Sequence, residues 1–232
     1  MFLPLYDHNP LRHVRRQFVT WGLIALNVAV FVFVQGGGLS EPAMQAASLS
    51  FGLVPAVLFD LRELAPELAI APDGVSLVSY AFLHGSWVHL GGNMLFLWVF
   101  GDNVEDAMGH VRFLVFYLLC AAFAGFAHAL LEPSSIVPLI GASGAVAGVI
   151  GAYLVLHPKV RVWVLALGRV PLRLPAWLLL AGWIAFQVFM ALGGGDRQVA
   201  WWAHVAGAIA GAVLVVPMRR RGVPLLDRGL QG

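Results

Sequence analysis

The sequence predicts an all-α integral membrane protein, a bundle of six transmembrane helices with a short fourth helix at its centre. Of its 232 residues, 60% are hydrophobic and only 11% are charged, whereas soluble domains carry about 25% charged residues. So few charges could not cover the surface of a water-soluble protein of this size. Six apolar stretches also approach the roughly 20 residues that cross a bilayer.

Length and hydropathy place six spans and divide the chain into three parts. The predicted spans are residues 18–37, 78–101, 112–131, 143–157, 174–192 and 200–218. They form a core, 18–218, between a short cytoplasmic N-terminus, 1–17, and a cytoplasmic tail, 219–232. The first apolar run is longer than the core of a signal peptide, and no small-residue cleavage site follows it promptly, so we expect a retained helix.

The segment between the first two spans, residues 38–77, is too polar and too interrupted to cross the membrane. It contains four prolines and five acidic residues, namely Pro42, Pro55, Pro66, Pro72, Glu41, Asp60, Glu63, Glu67 and Asp73. We expect short interfacial helices lying on the membrane or partly embedded in it.

The cations predict the orientation. Twelve lie on the side of both termini, and the opposite side holds only Arg62 and Arg197. The twelve are Arg12, Arg15, Arg16, Arg112, Lys159, Arg161, Arg169, Arg173, Arg219, Arg220, Arg221 and Arg228. The positive-inside rule then places both termini in the cytoplasm of a multi-pass protein of the cell (inner) membrane. The cations are too scattered for a nucleic-acid groove.

The fourth span is unusually short and rich in small residues. It runs from Ser143 to His157 before Pro158, and 15 residues of helix cover about 22 Å of a hydrocarbon core that is roughly 30 Å thick. Gly144 and Gly148 would let neighbouring helices approach closely. We therefore expect this helix in the middle of the bundle, with Ser143 below the outer membrane surface.

Three spans carry polar residues at a similar depth. Counted from the cytoplasmic ends, Ser143, His204 and His89 lie about 22, 22 and 20 Å into the membrane. Polar groups at such depth are costly and are functional candidates. Serine needs an adjacent base to become a nucleophile, and His204 can serve as that base. His89 and Asn93, four residues apart on one helical face, can donate to an oxyanion together with the Ser143 N–H.

Other polar residues have structural interpretations. No acidic residue lies in a span, so the sequence predicts a Ser–His dyad and no third carboxylate. We expect His84 to form hydrogen bonds beneath the first loop, Gln187 to be a buried amide paired with a neighbour, and Cys120 to be a buried, inert thiol. Gly207, three residues after His204, would let the fourth and sixth spans approach.

These motifs together resemble the rhomboid family of intramembrane proteases, of the bacterial type. The resemblance rests on His89-x-x-x-Asn93, Gly141-Ala142-Ser143-Gly144 and Ala203-His204-Val205-Ala206-Gly207, in the family's order, and on the stretch FLHGSWVHLGGNMLFLWVFGDNVED at residues 82–106. It covers essentially the six-span core. It implies Ser143 as nucleophile, His204 as base, and His89, Asn93 and the Ser143 amide as the oxyanion hole, with Gly141 in the turn before the nucleophile.

The resemblance further implies that the enzyme hydrolyses peptide bonds of single-pass transmembrane proteins in the lipid bilayer, without a metal or organic cofactor. It also implies that residues 38–77 are the partly embedded first loop. The fifth span and the loop near Asp196 would gate substrate entry, with Trp183, Phe186 and Phe189 either gate residues or lipid-facing bulk.

Two features, at three positions, depart from the family pattern. Val75 and Ser76 stand where some members have a Trp-Arg pair, and Ala147 stands where some have an aromatic ring that packs on the histidine. Trp201 or Trp202 is a candidate replacement for that ring. The alternative function is a catalytically inactive rhomboid-like protein that acts in binding or quality control, although Ser143 and His204 are both present.

Other classes fit less well. Gly193-Gly194-Gly195-Asp196 matches a string of intramembrane aspartyl proteases, but Asp196 lies in a loop and no span offers a second carboxylate. No His-Glu-x-x-His zinc motif is present. A transporter would usually show internal repeats or membrane-embedded carboxylates, and the sequence has neither.

Overall fold

Most of the chain is helical, as predicted for a membrane protein, but a small β-sheet departs from the predicted all-α class. The computed structural model describes residues 2–166, 168–193, 196 and 199–227. Arg197 and Arg228 of the charge count, Gly194 and Gly195 of the glycine string, and residues 228–232 of the predicted tail lie outside these residues.

Except for the second, the stretches predicted as spans each contain one α-helix at close to the predicted bounds, and the predicted interfacial segment contains short helices. The α-helices are α1 (Phe18–Ala29), which continues as a π-helix (Val30–Val34), α2 (Glu41–Phe51), α3 (Pro55–Leu58), α4 (Ser76–Ser79), α5 (Trp87–Met108), α6 (His110–Leu131), α7 (Ser143–Leu156), α8 (Ala176–Gly193) and α9 (Trp201–Met218). Short 3₁₀-helices cover Gly36–Gly38, Asp73–Val75 and Tyr80–Phe82. The segment between the first two spans therefore folds into short helices.

Among the residues that the structure describes, three helices are long and apolar enough to cross a bilayer, namely α6, α8 and α9. α7 and α1 with its π-helical extension are apolar but shorter. A mostly helical chain with such helices is a membrane protein.

The predicted second span, 78–101, was wrong at both ends. The helix begins only at Trp87, because Ser86 is extended and its side chain caps the first turn by accepting the His89 N–H. At the other end the helix continues to Met108 through three carboxylates. Asp106 accepts backbone N–H groups of residues 12–14 and Glu105 accepts those of Val19 and Thr20, so these charges are satisfied inside the fold.

A three-stranded antiparallel sheet was not predicted. It consists of β1 (Phe2–Asp7), β2 (Arg161–Ala166) and β3 (Val170–Pro175), in that order. β2 alternates exposed and buried residues, with Val162 and Val164 completely buried. The sheet joins the N-terminal segment to the connection between α7 and α8.

α7 is the central helix of the bundle. Eleven of its fourteen residues are buried, and it contacts α5, α6, α8 and α9. α8 lies at the periphery, since only Ala176, Leu179, Leu180 and Gln187 are buried among its eighteen residues, all of which the structure describes. A peripheral helix with one buried amide in its second half is relevant to the site described next.

Candidate active site

The site is centred on the N-terminus of α7, where Ser143 is the first helical residue. Two residues earlier, Gly141 has a φ of +126°, in the region that favours glycine. A methyl group at Gly141 would also lie 2.7 Å from the His89 Nε2 atom. Glycine here therefore both makes the turn and lets the His89 ring lie against the backbone beside Ser143.

His204 lies in the first turn of α9 and faces Ser143. Its Nε2 atom is 2.8 Å from the Ser143 Oγ atom, a normal distance for a hydrogen bond. Both residues are partly exposed. This geometry allows the imidazole to accept the hydroxyl proton directly.

Glycines allow α7 and α9 to lie close enough for this contact. A methyl group at Gly207 would overlap the carbonyl oxygen of Gly144, so the two backbones touch at this level. On α7, a methyl group at Gly144 would lie 2.6 Å from the Ala124 Cβ atom, and one at Gly148 would lie 2.5 Å from the Cys120 Sγ atom. The glycines selected from the sequence thus lie at the contacts between α7 and its neighbours α6 and α9.

The predicted oxyanion donors lie on α5, beside Gly141. His89 Nδ1 accepts the Gly85 N–H at 3.4 Å, an arrangement that favours the neutral tautomer with its proton on Nε2, next to Gly141. The Asn93 Nδ2 atom would lie 3.8 Å from a methyl group at Gly141. The fold thus gathers the polar side chains of the three predicted helices around the turn that leads into α7.

Asn93 is held by His84, which is completely buried. The Asn93 Nδ2 atom lies 3.0 Å from His84 Nε2, and the Ala142 N–H points to the same nitrogen at 3.5 Å. The backbone of His84 is fixed in turn by the buried Gln35 side chain, which accepts its N–H at 2.8 Å and donates to its carbonyl at 2.9 Å. His84 therefore forms the structural hydrogen bonds expected of it, and Gln35 is a supporting residue that the sequence analysis missed.

The surroundings of His204 answer the question raised by Ala147. Trp201 contacts the imidazole edge-on at a ring-centroid distance of 6.3 Å, and Trp183 lies over it at 5.9 Å with an interplanar angle of 33°. Trp183 also contacts Phe96 of α5, whereas Phe186 and Phe189 are 50% and 69% exposed. Trp183 thus packs on the site, and Phe186, although half-exposed, contacts Trp201 edge-on at a ring-centroid distance of 5.9 Å. Phe189 is exposed on the outer face of α8.

The structure identifies the partner of Gln187, which the sequence did not predict. The Gln187 Oε1 atom lies 2.7 Å from His204 Nδ1, on the side of the ring opposite Ser143. Sequence analysis expected only an unspecified neighbour. One signal was available, since Gln187 is the only residue of α8 with a hydrogen-bonding side chain apart from its tryptophans.

Comparisons with known proteins agree with this arrangement. A family model described as "Rhomboid domain" matches residues 71–221. The chain is 31% identical over 151 residues to "Rhomboid protein 1, mitochondrial" of Saccharomyces cerevisiae, covering 60% of this chain and 40% of that protein. It is 35% identical over 152 residues to "Rhomboid-like protein 11, chloroplastic" of Arabidopsis thaliana, covering 62% and 52% respectively.

A third similar protein is "Rhomboid protease GlpG" of Yersinia pestis, which is 30% identical over 142 residues, or 59% of this chain and 45% of that protein. The chain thus spans about half the length of the curated relatives it matches. The family match covers more than half of this chain and includes α5 to α9, which carry Ser143, His204, His89 and Asn93. The chain belongs to the rhomboid family.

Proposed function

We propose that this protein is an intramembrane serine endopeptidase with Ser143 as nucleophile and His204 as general base. The observation that carries the proposal is the 2.8 Å separation between Ser143 Oγ and His204 Nε2. A serine beside an imidazole that can take its proton is the minimum required for acyl transfer. The family membership and the similarity to the rhomboid protease of Yersinia pestis support the same activity.

In the proposed reaction, Ser143 Oγ attacks the carbonyl carbon of the substrate's peptide bond while its proton passes to His204 Nε2. The tetrahedral intermediate then expels the amine, which receives that proton, and an acyl group remains on Ser143. Water activated by His204 attacks the ester, releases the carboxylic acid and regenerates the hydroxyl. Every proton is transferred through the same imidazole nitrogen.

The oxyanion of the intermediate would be stabilised by His89, Asn93 and the Ser143 backbone N–H. As the first residue of α7, Ser143 has an N–H with no acceptor within the helix, and the helix dipole favours negative charge there. The side chains of His89 and Asn93 lie next to Gly141 on the same side of this turn. Donors held ready in this way stabilise the transition state without reorganisation.

The proposal includes a six-span topology in the cell membrane with both termini in the cytoplasm, and single-pass transmembrane proteins as substrates. Twelve of fourteen cations lie on the proposed cytoplasmic side, which supports this orientation. α7, fourteen residues long, is too short to cross the hydrocarbon core, which would leave Ser143 below the outer surface and accessible to water from that side.

Covalent labelling tests the nucleophile. Purified protein in detergent is treated with a fluorescent serine-reactive fluorophosphonate, and labelling is measured for the wild type, Ser143→Ala, His204→Ala and the control Ser134→Ala. We expect labelling of the wild type and of Ser134→Ala, in which an exposed loop serine is removed. Ser143→Ala and His204→Ala should not be labelled.

Cleavage of a single-pass model substrate in liposomes provides the second measurement. Equal labelling of wild type and Ser143→Ala would overturn the assignment of Ser143 as nucleophile. Full cleavage by His204→Ala would overturn the assignment of His204 as base. A folded wild type that neither reacts with the probe nor cleaves any of a panel of transmembrane segments would favour the inactive, binding form of the family.

A further inference from the structure

The imidazole of His204 makes two hydrogen bonds, and only one of them is to the nucleophile. Ser143 Oγ lies 2.8 Å from Nε2, and Gln187 Oε1 lies 2.7 Å from Nδ1. These partners come from two different helices, α7 and α8. The ring is therefore held at both nitrogens. The role inferred below for its second partner, Gln187, rests on the proposed function.

The burial of Gln187 is specific within its helix. α8 is exposed over most of its length, and Gln187 is its only buried residue beyond Leu180. A glutamine on a membrane-facing helix is costly unless its amide is hydrogen-bonded. Gln187 turns inward and reaches the imidazole, whereas Phe189 is exposed and Phe186, half-exposed, contacts Trp201. At this level α8 exposes apolar side chains, and its one amide points inward to His204.

The chemistry of the two partners determines which tautomer of His204 fits the site. A neutral imidazole carries a proton on one nitrogen and accepts at the other. General-base chemistry requires an unprotonated Nε2 opposite the serine hydroxyl, so the proton must lie on Nδ1. The Gln187 Oε1 atom is an acceptor only, and it faces Nδ1. An amide oxygen at this position therefore favours the tautomer that the base needs.

We propose that Gln187 is a positioning residue that keeps the proton of His204 on Nδ1 and directs Nε2 at Ser143. It would take the place that a buried carboxylate occupies in soluble serine proteases. A neutral amide fits a site inside the bilayer, because an ionised carboxylate there would be costly to bury. The predicted dyad thereby becomes a Ser143–His204–Gln187 triad whose third member carries no charge.

Two substitutions separate hydrogen bonding from packing. Gln187→Met keeps a side chain of similar length without the acceptor oxygen, and Gln187→Glu keeps an oxygen at the same position. We expect Gln187→Met to lower kcat by roughly tenfold to a hundredfold at nearly unchanged KM. This effect is larger than the loss of one neutral hydrogen bond and smaller than the roughly 10⁴-fold loss caused by a wrong tautomer. Gln187→Glu should be less stable, because its charge is costly at this depth, but its kcat per folded molecule should be well above that of Gln187→Met.

The matched control is Asn27→Leu, which removes another buried amide from a span. Asn27 Nδ2 donates to the Leu23 carbonyl within α1, far from His204 along the chain. We expect kcat per folded molecule to stay at the wild-type value. A Gln187→Met enzyme with wild-type kcat, or equal losses in Gln187→Met and Gln187→Glu, would overturn the positioning role.

Nitrogen-15 NMR of histidine-labelled protein reads the tautomer directly, with His204→Ala used to assign the signal. The wild type should show His204 protonated on Nδ1, and Gln187→Met should show a mixture of tautomers. A wild-type His204 protonated on Nε2 overturns the inference. This measurement needs no substrate, whereas failure of the proposed function would appear as a wild type without probe labelling or cleavage, so the two failures are distinguishable.

Discussion

At the scale of single residues, two polar groups of the site, Asn93 and His204, are each oriented by a second side chain that lies behind it. Gln35 fixes the backbone of His84, and His84 Nε2 lies 3.0 Å from the amide of Asn93. Gln187 contacts the far side of His204. A polar side chain inside a membrane protein has few alternative partners, so such hydrogen bonds restrict it to one geometry.

Replacing Asn93 tests the proposed oxyanion hole at this scale. Removal of one such donor typically costs about 10²–10³ in kcat, so we expect Asn93→Ala to lose that much kcat with little change in KM. The measurement is the initial rate of cleavage of a single-pass substrate over a range of substrate concentrations in liposomes. Asn27→Ala is the matched amide control, and an Asn93→Ala enzyme as fast as that control would contradict the role.

Asp7 gives a prediction about pH. Burial raises the pKa of Asp7, and hydrogen bonds including that from the Tyr153 hydroxyl offset only part of this effect. The folded state therefore holds the proton more tightly than the unfolded state, so the contribution of Asp7 to stability is full below pH 3.8 and is lost as the pH rises through its raised pKa.

The neutral substitution Asp7→Asn should remove this pH dependence. We expect the Tm of Asp7→Asn relative to wild type to be higher at pH 8 than at pH 4, as measured by thermal unfolding in detergent. The control is Asp60→Asn, which changes a carboxylate that is exposed in the segment between α3 and α4. A Tm difference between Asp7→Asn and wild type that is the same at both pH values would contradict the prediction.

At the scale of elements, the contact between α7 and α9 determines whether the site forms. Ser143 and His204 lie in the first turns of these helices, and Gly144 and Gly207 allow their backbones to touch just below. Helices in a membrane are held together by close packing, because lipid tails offer no hydrophobic drive for association. The distance between the proposed nucleophile and base is therefore set by this glycine contact.

Gly207→Ala tests the contact. The added methyl group would overlap the Gly144 carbonyl oxygen, so the helices must separate. Overpacking of this kind costs about 1–3 kcal/mol. We expect a lower Tm and slower labelling by a serine-reactive probe. Gly22→Ala on α1 is the control, since a methyl group there meets nothing within 4 Å. Equal Tm values and labelling rates for the two variants would show that the contact tolerates a side chain.

At the scale of the whole molecule, the N-terminal segment and the described part of the tail, residues 219–227, contact the same end of the bundle. Asp106 on α5 accepts the N–H groups of residues 12–14, and Asp227 accepts the Lys159 N–H at 2.8 Å. The Arg220 N–H donates to the Ala107 carbonyl at 2.8 Å. These bonds join the N-terminal segment, the tail and the sheet region to the ends of α5 and α7, where the cations are concentrated.

The proposed orientation can be measured with single cysteines. The chain has one cysteine, Cys120, which is buried and would be replaced by alanine. In that background Glu67→Cys should react with a membrane-impermeant maleimide in intact cells, and Arg221→Cys should react only after the membrane is opened. Both positions are exposed. The opposite labelling pattern would show that the orientation is the reverse of the proposed one.

Much of the architecture could be predicted because it depends on local properties of the chain. Hydropathy located the helices, the small residues of 144–152 predicted a central α7, and counting along the helices brought Ser143, His204 and His89 to a similar depth. The family match agrees with the motifs that carried the resemblance. Helix ends were less predictable, because α5 begins and ends where side chains from Ser86 and from distant segments satisfy its backbone and its carboxylates.

Hydropathy, small-residue spacing and motif order were enough by themselves to determine a helical membrane protein of the rhomboid family and to select its candidate nucleophile and base. Only the tertiary structure decided that Gln187 contacts His204, that Gln35 holds His84, and that β1 pairs with β2 near Asp7 and Tyr153. Gln187 and His204 are 17 residues apart, Gln35 and His84 are 49, and Asp7 and Tyr153 are 146. Such pairings depend on how helices and strands pack in three dimensions, and no local pattern in the sequence indicates them.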